Sequence, residues 1–129
     1  MERLLRRRDF LAAARALSRA AQGAVVQLRR RDDEGPPRIG FTVTRKVGGA
    51  VQRNRIRRRL KEAVRLAAAD HFRAGHDYVI VGRAATKGRP FAKLISDIIS
   101  AVDYLHREQA QGTNAARGSG RRRLKQDSL

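Results

Sequence analysis

No cysteine occurs among the 129 residues. Disulfides and thiolate metal sites are therefore excluded, and a reducing compartment, the cytoplasm, is expected. No apolar run approaches the ~20 residues of a membrane span. Residues Met1 to Arg6 lack the roughly 7–15-residue apolar core of a signal peptide, so a soluble protein with no membrane partner is expected. Aromatics are few: Phe10, Phe41, Phe72, Tyr78, Phe91 and Tyr104, with no tryptophan. Acids are scarcer still in relation to bases, 12 against 30, which leaves a formal net charge of +18 and a pI of about 11.8. A compact chain of this size carrying that much self-repulsion implies a polyanionic partner. Nucleic acid is the first candidate on charge and an anionic membrane surface the second. Hydrophobic residues make up 41%, enough for one modest core, so the chain is one folded domain and not a disordered polycation.

The bases are also biased in kind, with arginine outnumbering lysine 25 to 5. A guanidinium is planar, weakly hydrated and bidentate toward phosphate, so the bias suits specific phosphate or base contacts. Codon usage in a GC-rich genome raises arginine as well.

Periodicity predicts the elements. Residues 6–17 read as a helix with a thin stripe of Phe10, Ala13, Ala14 and Leu17, and Asp9 sits in its first turn, where a carboxylate suits the helix dipole. Residues 24–30 and 38–44 read as strands, and the turn chemistry of Arg31 to Pro37 between them predicts an antiparallel hairpin. In the second strand the Gly40, Thr42 and Thr44 face is small and polar, as a solvent-facing or RNA-facing surface would be. A helix is expected from about Val51 to Phe72, closed by a turn at Gly75–Asp77. The near-continuous apolar run 77–82 predicts a strand covered on both faces. A last amphipathic helix is expected over 90–107, with Pro90 in its first turn. Residues 1–108 then form the domain, and 109–129, without apolar periodicity, are expected as a disordered basic tail.

Catalytic chemistry is sparse. His71, His76 and His106 lack a cysteine partner or metal-ligand spacing and read as surface or helix-end histidines. Asp32, Asp33 and Glu34 fall in a turn, where solvated acids are ordinary. Ser18, Ser96 and Ser100 have no nucleophile-elbow context. Gly48-Gly49 lacks the frame of an ATP loop. No active site assembles from these residues.

Binding chemistry is concentrated between Arg45 and Arg65. Residues 53–65 carry Arg53, Arg55, Arg57, Arg58, Arg59, Lys61 and Arg65 against one acid, Glu62. A solvated helix face would carry acids four residues from its bases, and here they are missing. The order within the run matters as much as its charge. Ile56, Leu60, Ala63, Val64 and Ala67 share one face of a helix, while Arg58, Lys61 and Arg65 fall on the opposite side with Asn54. The Asn54 amide both donates and accepts, which suits a base edge, a phosphate with a 2′-hydroxyl, or a hydrated metal; an N-cap is the structural alternative. Phe10, ringed by arginines, either stacks an unpaired base at a groove edge or packs in the core.

The stretch Lys46-Val47-Gly48-Gly49-Ala50-Val51-Gln52-Arg53-Asn54-Arg55, with the bases that follow, closely resembles the signature of the bacterial ribonuclease P protein subunit. That signature reads Lys-x-x-Gly-x-Ala-Val-x-Arg-Asn-Arg and continues with a basic and a charged pair. Here Gly49 stands where the family usually has Asn or Lys. Arg3-Leu4 with Asp9-Phe10, Arg38 to Lys46, and Asp77 to Arg83 are similar to further parts of the family, so the likeness spans about residues 3–107.

The resemblance implies an α+β fold: a small α/β sandwich of the ribosomal S5 domain 2-like type. Its four-stranded mixed sheet would contain a left-handed strand-helix-strand crossover, and the missing strand would fall near Ser18 to Gln22. It implies a large catalytic RNA as partner, with Mg²⁺ bound mainly by that RNA, and removal of the 5′ leader from precursor tRNA. The RNA-binding residues it implies are Arg45, Lys46, Arg53, Asn54, Arg55, Arg57, Arg58 and Lys61, with Phe10 in a cleft for the single-stranded leader. Ala14 occupies the position of a second cleft aromatic. No protein partner is evident. A ribosomal or RNA-chaperone-type protein of related fold is the rival reading. A DNA-binding regulator is weaker, because no partner helix of a helix-turn-helix can be identified.

Overall fold

The computed structural model describes residues 2–67 and 69–115. Strand β1 (Glu2–Arg3) leads into helix α1 (Arg7–Ala14), followed by β2 (Leu17–Ala20), β3 (Ala24–Arg30) and β4 (Arg38–Val43). Helix α2 (Ala50–Leu66), strand β5 (His76–Gly82) and helix α3 (Phe91–Ala115) complete the order. The sheet order is β1-β4-β5-β3-β2. β1 and β5 run parallel to β4, while β3 is antiparallel to both β5 and β2. The fold is thus mixed α+β, with α2 as the crossover between the parallel neighbours β4 and β5.

The expected hairpin of residues 24–30 and 38–44 does not form, because β5 lies between these strands and pairs with both. Its composition explains the insertion. Tyr78, Val79 and Ile80 are all buried, so the strand has apolar surface for both faces and stabilises the sheet most from the centre. The strand near Ser18 is present as β2, and the two-residue β1 makes five strands where the resemblance implied four. Leu17, expected to end the first helix, begins β2 instead; α1 stops at Ala14, where its thin stripe offers nothing more to bury.

On one face of the sheet, α2 and α3 bury Ile56, Leu60, Ala63, Val64, Leu94, Ile98, Val102 and Leu105 against Val26, Leu28, Ile39, Val43, Tyr78 and Ile80. Gly82 lets α2 come close, since a Cβ there would stand 2.5 Å from Ile56 Cγ2. α2 ends at Leu66, short of the expected Phe72, and a single 3₁₀ turn, Ala69–His71, follows. Phe72 then packs edge-on against Tyr78 with ring centroids 4.8 Å apart. α3 runs on to Ala115, past the expected end at 107, so residues 109–115 are helical; residues 116–129 of the expected tail lie outside the described residues. No helix among the described residues is long and apolar enough to cross a membrane.

The other face carries α1. Leu4, Ala13 and Val79 form a second, smaller cluster, with Phe10 and Val81 against it. Polar anchoring compensates for that thin packing. Asp77, fully buried at the start of β5, accepts from Arg31 at 2.8 Å and from two nitrogens of Arg38 at 2.8 Å each. Arg29 lies 3.4 Å from Asp77 and 3.2 Å from Asp9 of α1. Two carboxylates and three guanidiniums therefore tie α1 to β3, β4 and β5. Burial pushes the Asp77 carboxyl up, but the hydrogen bonds from Arg38 and Arg31 outweigh it and hold the group below its ordinary range. Asp9 is buried in this network, beyond the helix-dipole role expected of it.

Candidate nucleic-acid interface

Gly48 opens the basic helix. Its φ of 154° is one that side-chain-bearing residues rarely adopt, so the turn into α2 requires glycine there. Gly49 is the N-cap, with φ −75° and open space around a Cβ, so the family's usual Asn or Lys would fit. Asn54 is consequently one turn inside the helix, and the N-cap alternative for it fails. Before the turn, Arg45 and Lys46 stand exposed on a 3₁₀ turn, Arg45–Val47.

Within α2 the arginines divide by role. Asn54, Arg57, Arg58 and Lys61 line an open groove with the exposed Val51. Arg57 donates to Asn54 Oδ1 at 2.9 Å, which leaves the Asn54 amide nitrogen as the free donor on that face. Arg58 and Lys61 are exposed and make no ion pair among the described residues. Arg53, half-buried beside the groove, donates its guanidinium to the Gly48 carbonyl at 3.2 Å and so locks the entry turn. Arg55 lies exposed on the flank beside Arg58.

Two other bases of the run are occupied. Arg59 donates to the Thr86 carbonyl at 2.6 Å and sits 5.6 Å from the Phe91 ring centroid, bracing α2 against the start of α3. Arg65 pairs with Glu62, whose carboxyl the hydrogen bond lowers. The structure adds one cation that the run did not reveal: Lys87, after β5, reaches Gln52 at 2.9 Å and brings its charge to the first turn of α2.

The cleft beside α1 is built from rows across the sheet. Gly40, Val79 and Gln27 form one row, and Thr42, Val81 and Val25 the next. The Phe10 ring rests on Gly40: a Cβ there would stand 2.6 Å from Phe10 Cε1 and Cζ. Gly40 is thus covered by the ring and not solvent-facing, whereas Thr42, Val81 and Val25 stay half-buried and form the floor next to it. Phe10 itself is half-buried, with one side in the small cluster and one side open. Ala14 is exposed at the end of α1 and supplies no ring.

The histidines correct the sequence reading. His76 and His106 are buried, and only His71 is partly exposed, 3.1 Å from Asp103. Tyr78 Oη accepts from the Arg73 backbone N–H and lies 2.8 Å from His106 Nε2. Burial, with Arg73 and His76 nearby, lowers the His106 pKa to about 4, and burial raises that of Tyr78 to about 12. This network closes the end of the main core and lies away from both surfaces described above. Alternation and spacing carry no signal for it, because a buried histidine looks like an exposed one until its neighbours are known.

The ribonuclease P family model matches residues 1–106. This chain belongs to the ribonuclease P protein family. It is similar to the ribonuclease P protein component of Caulobacter vibrioides, 45% identical over 112 residues that cover 86% of this chain and 75% of that one. The component from Gluconacetobacter diazotrophicus is 50% identical over 97 residues, covering 74% and 84% of the two chains. The RNase P protein of Thermotoga maritima superposes with a TM-score of 0.64 at 28% identity over 78% of this chain and 94% of that one. That of Staphylococcus aureus gives 0.67 over 81% and 95%, where 23% identity speaks for the fold alone. Family membership sets the chain's work in tRNA processing, as the protein component of a ribonuclease.

Proposed function

We propose that this chain docks on the catalytic RNA of ribonuclease P through the outer face of α2, and holds the 5′ leader of precursor tRNA in the cleft beside α1. The holoenzyme would remove that leader hydrolytically in the cytoplasm. The observation that carries the proposal is the two-faced helix: Ile56, Leu60, Ala63 and Val64 are buried, while Asn54, Arg57, Arg58 and Lys61 share an outer groove. Arg45 and Lys46 stand exposed just ahead of this helix and add to its positive charge. In the cleft, Phe10 offers a half-open ring beside a small, half-polar floor. A base stacked on such a ring is worth ~1–3 kcal/mol.

The described residues do not fit a Mg²⁺ site of their own. Among the described residues no three His, Asp or Glu side chains gather where they could hold an ion, and Asp9 and Asp77 are engaged with arginines. The proposal therefore assigns Mg²⁺ to the RNA partner.

Reconstitution with the cognate ribonuclease P RNA tests the reading. Precursor-tRNA cleavage at low Mg²⁺ should rise above that of RNA alone, and no stimulation would leave only the rival, a binder of structured RNA. Arg58→Ala and Lys61→Ala should each weaken RNA binding and reduce the salt slope by ~1. Arg59→Ala, which loses an internal hydrogen bond, should lower stability by about 1 kcal/mol and leave the slope alone.

A further inference from the structure

A second concavity lies between the edge strand β2 and α3, on the face of the sheet that also carries α2 and at the edge away from β1, with a volume of about 400 Å³. Three guanidiniums line it, Arg19, Arg89 and Arg107, against one carboxylate, Asp97. Asp97 is already engaged: Arg89 donates to both its oxygens at 2.9 and 3.1 Å, and the Gly23 N–H donates at 3.0 Å. Arg19 and Arg107 are exposed and keep their charge uncompensated within the groove. Both lie at the Tyr104 ring, with guanidinium carbons 3.9 and 6.0 Å from its centroid. The ring restrains Arg19 by a cation–π contact, so its guanidinium has less conformational freedom to lose on meeting a ligand.

We propose that this groove is a second phosphate-binding contact for RNA, with Arg19 and Arg107 each taking a backbone phosphate and Tyr104 positioning Arg19. The proposal rests on the RNA-binding reading above. Charge selects the occupant. Residues 116–129 carry Arg117, Arg121, Arg122, Arg123 and Lys125 against Asp127, a composition of the same sign as the groove and not complementary to it. Placement favours the same polyanion that α2 would bind. The groove includes Ala21 and Gln22, just before Ala24, which pairs with Gly82, and Gly82 pairs with Val43. Its Ala21 and Gln22 end therefore opens at the end of the sheet from which Arg45 and Lys46 emerge, Arg19 stands mid-sheet opposite Val26, and Arg107, next to His106 and so near Tyr78, lies toward the start of β5. From β4 to β2 there are three strand spacings, ~14 Å, a span that one folded RNA surface covers easily.

The test is the salt dependence of binding between the full chain and the cognate ribonuclease P RNA, for wild type, Arg19→Ala/Arg107→Ala, Tyr104→Leu and Arg58→Ala/Lys61→Ala. Removing Arg19 and Arg107 should flatten the slope of log K against log salt by ~1.5, and so weaken binding on the order of tenfold at physiological salt, with the melting temperature unchanged. Tyr104→Leu, which keeps both charges but frees Arg19, should cost a smaller loss in affinity with the slope retained. An unchanged slope in Arg19→Ala/Arg107→Ala, alongside a reduced slope in Arg58→Ala/Lys61→Ala, would overturn this inference and leave the α2 reading standing. No change in either pair would overturn both.

Discussion

Adding one methyl group at Gly40 should move Phe10. A Cβ built on Gly40 stands 2.6 Å from Phe10 Cε1 and Cζ and 3.1 Å from Leu4 Cβ, where carbon atoms pack at ~3.5–4.0 Å. In Gly40→Ala the ring must retreat by about 1 Å. Overpacking of this kind costs ~1–3 kcal/mol in a closed core. Phe10 has an open side to retreat into, which points to the lower end, about 1 kcal/mol, or a fall of roughly 4–5 °C in melting temperature for a domain of this size. The strain is specific to one ring, so a double-mutant cycle isolates it. Gly40→Ala should cost about 1 kcal/mol by urea unfolding in the wild-type background and close to nothing when Phe10 is already alanine. If the two backgrounds lose the same amount, Phe10 does not rest on Gly40 and the cleft described here is wrong. In the reconstituted holoenzyme the same substitution should imitate Phe10→Ala, weakening a leader-bearing substrate while sparing mature tRNA.

The entry turn gives a sharp contrast: Gly48→Ala should cost ~1–2 kcal/mol because of its φ of 154°, whereas Gly49→Ala should stay within about 0.5 kcal/mol, both read by thermal unfolding. Asp77→Asn should destabilise the fold by roughly 3–5 kcal/mol at pH 7, since it leaves Arg29 and Arg38 with only Asp9 and Arg31 with only the exposed Asp33. The Asp77 carboxyl is held below its ordinary pKa of 3.8 in the folded chain, so its stabilising contribution is complete above that value. As pH falls the unfolded chain takes up this proton first, and the contribution fades through the lower, folded value. The gap between wild type and Asp77→Asn should therefore narrow between pH 5 and pH 2; a gap independent of pH would show that the charge of Asp77 is not what matters.

Much of this molecule was legible because its elements are strongly patterned. The apolar stripe of α2 and the period of α3 predicted helices that form, and Ala24–Arg30 has the bounds expected of it. What could not be read were relations between segments. The turn residues before β4 suggested a hairpin, but the demand of β5 for neighbours on both sides decided the sheet order. The basic run likewise read as one unit, although geometry divides it into an outer set (Asn54, Arg57, Arg58, Lys61), a turn lock (Arg53) and a brace (Arg59). One sign of the buried network does stand in the sequence. Asp77 begins a strand expected to be covered on both faces, and a carboxylate in that position must find cationic partners.

The scarcity of acids acquires a spatial meaning once the register is known. β4 and β5 run parallel, with Arg38 beside Asp77 at their starts and Val43 beside Gly82 at their ends. Asp77, and Asp9 through Arg29 and Arg38, belong to the starting end, and so does the 31–37 connection with Asp32, Asp33 and Glu34. Arg45 and Lys46 leave from the opposite end, Lys87 follows Gly82 there, and α2 begins there. Five acids, Asp9, Asp32, Asp33, Glu34 and Asp77, are therefore gathered at the starting end, while at the far end Asp97 is taken up by Arg89 and Arg45 and Lys46 make no ion pair among the described residues. A polyanion approaching such a body meets attraction at one end and carboxylates at the other, so the charge distribution orients the protein before any hydrogen bond forms. Net charge alone would have given affinity without orientation. The register supplies the orientation, and the groove beside β2 reaches that end through Ala21 and Gln22.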